Sequence, residues 1–408
     1  MFLGWQGDSS QLAHERVLKH FSQEDIDRGQ EYARNGFIAK AVSGYVWLAV
    51  IIILIFSGFF SALNTKIESF TNGGFWLPNL LFFSIFFLIQ LIINFPFSYY
   101  LGHVCETQMG FSNMTAIDWF IRYLKSVAVS WILEAIIVLL IFWVFKFFER
   151  SWPILVPAAT TLFGIAATIL MPYIITPIFY NQKPIAEGQL KERILEIARQ
   201  AKVPVEGIYE IDESRYSKHT NAYFTGLFSE KRIVLYDTLI KSHTVDEAAL
   251  IFAHEVGHWL YDHVLIGITL GFFGALLGSF FLWWLYPFFL AEPSFGLGPL
   301  WKAQNLPFFI VVTTVLNLLL SPIEAQISQY FERQADYSSL ELTGLHKTFI
   351  EAETRLAKDN KNDLLPHPFR VFWLYSHPPA IDRIEMGLTF GAASSKTAST
   401  TESTDATK

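Results

Sequence analysis

Six stretches, residues 42–63, 77–97, 127–147, 153–179, 264–290 and 307–327, are apolar and long enough to cross a bilayer, which takes about 20 residues. In lipid, every backbone N–H and C=O must find its partner within the segment, so these stretches are predicted to be helices. Only 16% of the chain is Asp, Glu, Lys or Arg, against about 25% in soluble domains. The expected fold is therefore mainly α, a polytopic membrane protein with a soluble part. Pro157 and Pro172 predict kinks in the fourth span. Glu134 falls inside the third, where a carboxylate is costly unless it faces protein or water. It therefore makes a helix–helix hydrogen bond or lines a wet interior.

Positive charge orients the spans. Arg16, Lys19, Arg28, Arg34 and Lys40 precede the first span, and the segment after the fourth is rich in Lys and Arg. The loops after the first and fifth hold only Lys66 and Lys302. Alternate crossings then put the amino terminus, residues 180–263 and the carboxyl terminus on the cytoplasmic side. The short loop with Lys146 and Arg150 opposes this mildly. The first forty residues lack the apolar core and cleavage site of a signal peptide, so the first span reads as an uncleaved anchor. A net charge of −7 gives nucleic acid no basic surface to bind. The single Cys105 excludes an intramolecular disulfide and any zinc site built on Cys pairs.

Three regions follow: a membrane domain of four spans over 1–180, a second domain with two further spans over 181–390, and a Ser/Thr/Ala tail over 391–408 expected to be disordered. In the second region, apolar spacing at Leu190, Ile194, Ile197 and Ala198 predicts a helix over 189–201. Residues 208–211 and 232–235 read as short strands, with a turn at Ser229-Glu230-Lys231. Asp246 is the expected N-cap of a helix reaching Leu260, and 328–356 reads as one amphipathic helix.

The helix after Asp246 carries His254-Glu255-Val256-Gly257-His258. Its two His, four apart, lie on one face and can reach one zinc ion, with Glu255 beside them as candidate general base. A catalytic zinc needs a third protein ligand and an open position. Glu332 and Asp336, also four apart, offer that ligand and a partner for the other ring nitrogen of a ligating His. Taken alone, the two acids also fit a solvated helix face pairing with Arg333 or Lys347. The segment Ser217–Leu227 contains Asn221-Ala222-Tyr223, a candidate strand edge for a peptide substrate, or else an ordinary turn into a strand. In Tyr375-Ser376-His377-Pro378-Pro379-Ala380-Ile381-Asp382-Arg383, His377 and Arg383 are candidates to stabilise an oxyanion. The plainer reading there is a surface turn into a helix.

Blocks 173–179, 191–203, 220–237, 253–258, 331–336 and 375–383, in this order, resemble the type I CAAX prenyl protease family, integral-membrane zinc metallopeptidases of the gluzincin kind. The resemblance covers about residues 21–388. It implies one Zn2+ held by His254, His258 and Glu332, with Glu255 as general base and acid and Asp336 behind the ligands. It further implies Asn221 and nearby backbone (Ala222, Tyr223) against a substrate strand, and His377 with Arg383 at the transition state. The implied fold is a ring of membrane helices around a water-filled chamber, closed on its cytoplasmic side by a metallopeptidase domain with a small β-sheet. Relatives in eukaryotes have seven spans, against six here, and some carry a charged insertion absent from this chain. Both departures suit a compact member of bacterial type. The location implied is the inner membrane of a bacterium or the endoplasmic reticulum of a eukaryote, with the catalytic domain cytoplasmic.

The function expected is a zinc metalloendopeptidase that cuts near the carboxyl terminus of peptide or protein substrates, prenylated CAAX proteins being those the resemblance implies. Two other readings stand beside it. One is a general quality-control protease for membrane proteins. The other is a transporter or scaffold with a structural zinc, disfavoured because such sites are four-coordinate and usually rich in Cys.

Overall fold

The structure, a computed structural model, describes residues 10–225 and 232–405. The turn expected at Ser229-Glu230-Lys231 lies outside the described residues. Among those described, six helical segments are long and apolar enough to cross a membrane.

Helix α1 (Ser10–Leu18) leads into α2 (Gln23–Phe56). Ser22 and Asp25 close a capping box there: the Ser22 Oγ accepts from the Asp25 amide at 3.2 Å, and the Asp25 carboxylate accepts from the Ser22 amide at 3.0 Å. The first apolar run does not form one helix to Leu63. Gly58, with φ +73°, ends α2 and opens α3 (Phe59–Thr71), a left-handed position suited to a residue without Cβ. Helix α4 (Trp76–Tyr99) passes through a π turn, Tyr100–Cys105, into the short α5 (Glu106–Gln108). Then come α6 (Ala116–Phe147) and α7 (Trp152–Leu170). The irregularity expected at Pro172 is a π turn, Met171–Ile175, before the last turn α8 (Thr176–Phe179). Proline lacks the amide that a regular turn would use, and a wider turn tolerates the loss. Phe82, Phe86 and Phe142 are buried at the centre of the membrane core.

Beyond Tyr180 lie β1 (Gln182–Pro184), α9 (Gln189–Gln200), β2 (Gly207–Ile211), β3 (Ala222–Thr225) and β4 (Arg232–Tyr236). The strand order is β1-β2-β4-β3, with β2 and β4 parallel and the other pairs antiparallel. Strand β3 is thus an edge. Next follow α10 (Asp237–Ser242) and α11 (Val245–Leu260). Buried Ile194, Ile233, Leu235, Phe252 and Val256 join α9, the sheet and α11 in one core. The N-cap of α11 is Thr244, not Asp246. Its Oγ1 accepts from the Glu247 amide at 3.3 Å, and the Glu247 carboxylate accepts from the Thr244 amide at 2.8 Å, a reciprocal pair that Asp246 has no neighbour to form.

Helix α12 (His263–Leu290) crosses back, and α13 (Leu306–Thr343) returns. At 1.5 Å per residue α13 is about 57 Å long, well beyond a hydrocarbon thickness of about 30 Å. Its second half therefore stands clear of the apolar run and carries Glu332 and Asp336 into the catalytic domain. The single helix expected over 328–356 is two. Gly344, at φ +66°, caps α13, and α14 (His346–Asp359) starts anew. After α15 (Pro368–Leu374), α16 runs Ala380–Asp405. Its backbone is helical through much of the stretch for which composition predicts disorder. The buried Ile381 and Ile384 anchor its start, and no Pro or Gly interrupts it after Gly391.

The amino-terminal arm is part of the catalytic domain's core rather than a polar flank. Val17, Phe21 and Ile26 are buried against Ala357, Leu364, Ile381 and Ile384. Arg16 grips Glu385 with two nitrogens, at 2.7 and 2.6 Å.

Candidate active site

Two helices build the centre. Helix α11 crosses α13 so closely that a Cβ on Gly257 would lie 2.7 Å from the Ala335 Cα and 3.0 Å from its carbonyl oxygen. Backbone cannot yield as a flexible side chain does. Gly257→Ala is therefore expected to force the helices apart, costing about 1–3 kcal/mol and lowering turnover by displacing Glu332 from the two His. A thermal melt and a rate measurement on the same variant check this.

The close crossing brings one atom from each of His254, His258 and Glu332 within 4.8 Å of one another. The Nε2 atoms of the two His face each other at 3.2 Å, and the Glu332 oxygens lie 3.2 Å from His254 Nε2 and 3.4 Å from His258 Nε2. Glu332 is buried, and its Oε2 has no hydrogen bond. Two imidazole nitrogens and a carboxylate whose Oε2 has no hydrogen bond among the described residues converge on one point. The arrangement suits a cation between them.

Each ring is fixed from behind. His254 Nδ1 lies 2.8 Å from Asp336 Oδ1. Asp336 is fully buried and also accepts from Arg383 Nε at 2.8 Å and from a second Arg383 nitrogen at 2.5 Å. The third guanidinium nitrogen of Arg383 meets Glu353 at 2.7 Å. The result is a chain His254–Asp336–Arg383–Glu353. His258 Nδ1 lies 3.0 Å from His263 Nδ1, while His263 stacks on Phe331 and meets Gln334 Oε1 at 3.1 Å. Glu353, His263 and Gln334 escape a reading of the sequence. His263 and Gln334 sit five and two residues from proposed ligands, a weak signal. Glu353 lies on another helix and leaves none.

Burial pushes the His254 ring toward the neutral form. The carboxylate of Asp336, which accepts from the ring, and that of Glu332 beside it outweigh burial and hold the metal-free ring up at about 10. Burial, with His254 beside it, pushes His258 down to about 4. A metal ion must therefore displace a proton from His254 and none from His258 at neutral pH. Metal rebinding to the stripped protein is expected to tighten about tenfold per pH unit between about pH 6 and about pH 9. A flat dependence in a competition titration would contradict this.

Glu255 projects from α11 beside the ligands, with the Phe224 backbone of β3 next to its carboxylate. Phe224 also packs its ring on Phe252 of α11, centroids 5.6 Å apart. The free edge of the sheet thus runs next to Glu255. Ala222 and Tyr223 lie on that edge, and Asn221 stands exposed just before it, its Oδ1 accepting from the Ala222 amide at 2.8 Å.

His377 and Arg383 do not sit as a pair. His377 is 60% exposed with Nε2 3.4 Å from Glu332 Oε2, open to a substrate. Arg383 is largely buried, 16% exposed, with every guanidinium nitrogen on a carboxylate. The turn carrying His377 is held by Gln329, which donates to the Tyr375 carbonyl at 3.0 Å.

The chain is similar to known proteins over most of its length. The model for peptidase family M48 matches residues 184–386. The model described as CAAX prenyl protease N-terminal, five membrane helices, matches 9–181; over those residues this chain has four candidate spans. A CAAX prenyl protease 1 homolog of Arabidopsis thaliana is 31% identical over 72% of this chain and 69% of its own length. An uncharacterized metalloprotease of Bacillus subtilis, YhfN, is 27% identical over 83% of this chain and 79% of its own. The crystal structure of Ste24p from S. mikatae superposes with a TM-score of 0.78 at 26% identity, covering 92% of this chain and 94% of that one.

Proposed function

Because this chain belongs to the CAAX prenyl protease family and is a multi-pass membrane metalloprotease acting on peptides, we propose that it is a zinc endopeptidase that trims prenylated proteins near their carboxyl termini. The observation that supports this most is the facing trio His254, His258 and Glu332 with its orphaned Glu332 oxygen. Zinc bound there would polarise a substrate carbonyl and acidify water toward a pKa of about 7.

The chain's own residues do the rest. Substrate lies as an added strand along the outer edge of β3, using backbone at Asn221, Ala222 and Tyr223. Glu255, beside that edge at Phe224, takes the proton of the attacking water and returns it to the leaving nitrogen. The exposed His377 ring donates to the developing oxyanion. Arg383, spent on Asp336 and Glu353, acts at one remove by fixing Asp336, which sets the tautomer and orientation of His254.

The proposed division is a membrane part of four spans over 1–180, a cutting part over 181–390 whose core the amino-terminal arm completes, and the tail. The chain's Lys and Arg distribution supports a cytoplasmic catalytic side. The spans over Trp152–Phe179 and His263–Leu290 bury only 6% of their most apolar windows, too little for a solid bundle, which favours helices ringed around a chamber. Exposed Glu134, without a hydrogen-bond or ion partner among the described residues, suits a wet interior better than a helix–helix bond.

The test offers the purified protein a farnesylated CAAX peptide and its bare counterpart, with products identified by mass. Loss of the last three residues, faster with the farnesyl group, is expected. Equal cutting of both would sink the prenyl specificity and leave a peptidase of broader use.

A further inference from the structure

A second site lies at the seam between the membrane helices and the catalytic domain. A cavity of about 260 Å³ opens there, lined by Arg122 and Lys125 of α6, by Phe179 at the end of the fourth span, and by Arg215 and Tyr216 from the turn after β2. The apolar run of the third span begins at Val127 and that of the fourth ends at Phe179. Both boundaries meet at this cavity, so it sits where hydrocarbon gives way to water.

Its cations are unspent. The Arg122 guanidinium is clamped over the rings of Tyr216 at 3.9 Å and Tyr180 at 4.8 Å. One of its nitrogens donates to the Tyr180 hydroxyl at 2.7 Å. Another is buried and has no partner. Aromatic faces hold the charge in place without neutralising it. Among the described residues Lys125 reaches only the Ile178 carbonyl, at 3.4 Å. Arg215 is exposed and rests on the Tyr216 ring, with no ion pair among the described residues. Two carboxylates oppose these cations. Asp118 lines the cavity and its charge acts on Arg215, while its Oδ2 accepts from the Thr115 amide and hydroxyl of the α6 capping box. Buried Glu213 acts on Tyr180 from the catalytic side. A positive excess remains. Ile121 lines the cavity, and on the membrane side, seven and eleven residues past Lys125 on the same face of α6, Ile132 and Ile136 are exposed.

We propose that this cavity binds the phosphate of an anionic glycerophospholipid, with Arg122, Lys125 and Arg215 on the phosphate and its acyl chains in the hydrocarbon beyond Val127, against the exposed Ile132 and Ile136. Basic pockets between membrane helices at the headgroup level take such lipids. A lipid there would bridge the two domains without touching the metal centre. The inference rests on membrane embedding and not on the peptidase reading.

The test is native mass spectrometry of the full-length protein in detergent, offered phosphatidylglycerol or phosphatidylcholine of identical chains, or inorganic phosphate. The double variant Lys125→Gln/Arg215→Gln changes only exposed side chains, and its lipid-free melting temperature confirms folding. Selective phosphatidylglycerol retention by the native protein is expected, weaker by about thirtyfold in the variant, at roughly fivefold per charge removed. Equal retention of both lipids, or retention unchanged in the variant, would overturn the proposal. Displacement of the lipid by inorganic phosphate alone would also overturn it, in favour of a free-anion site. Because Arg122 is not altered, collapse of the aromatic clamp cannot imitate the loss.

Discussion

Glu255→Ala is expected to lower turnover by about 10²–10⁴-fold while the protein keeps its metal and its melting temperature. The side chain is not among the three groups that converge on the cation position. It lies beside them, next to the Phe224 backbone of β3. Burial, with the charge of Glu332 adding to it and that of His254 opposing, holds the Glu255 carboxyl above the usual glutamate range. A base of raised pKa keeps a proton long enough to hand it to a leaving amine, which a strongly acidic carboxylate does poorly. Removing the carboxylate takes away both transfers and leaves binding intact. Metal content and single-turnover rates on the same preparation separate the two effects. Loss of metal along with activity would mean that Glu255 is a ligand or a structural support rather than the base.

Asp336→Ala has the largest expected effect on stability. Asp336 is fully buried and is the shared partner of His254 and Arg383. Its removal leaves the Arg383 guanidinium in the interior with Glu353 as its remaining carboxylate and leaves His254 without a group to set its tautomer. Breaking one side of a buried ion pair costs about 3–5 kcal/mol, and losing the carboxylate behind a ligating His weakens metal binding about 10–100-fold. Thermal melts and metal competition should both register the change. A variant that melts like the native protein would contradict the chain of contacts drawn here.

What can be read from the chain before folding follows from what has a period or a length. The six spans are legible because hydrocarbon imposes a minimum length. His254 with His258, and Glu332 with Asp336, are legible because both pairs repeat at four residues. The capping box Thr244–Glu247 is written plainly as T-x-x-E; choosing Asp246 instead weighted residue type over the reciprocal bond. The break at Gly344 is likewise a single residue whose left-handed φ interrupts an otherwise continuous apolar pattern. Contacts between distant helices have no such signature. Glu353 reaches Arg383 across two helices, His263 supports His258 across a helix junction, and Val17 and Phe21 complete a core with Ile381 and Ile384 from the other end of the chain. Each depends on tertiary packing, and none is visible as spacing.

The most direct measurement follows zinc content and peptide turnover together while a chelator is titrated into the purified protein and zinc is then restored. The account predicts a single zinc ion per chain, turnover falling in proportion to zinc lost and returning with it, and no zinc retained after His254→Ala or Glu332→Ala. Turnover that persists once zinc is gone, or zinc held undiminished without His254 or Glu332, would contradict it.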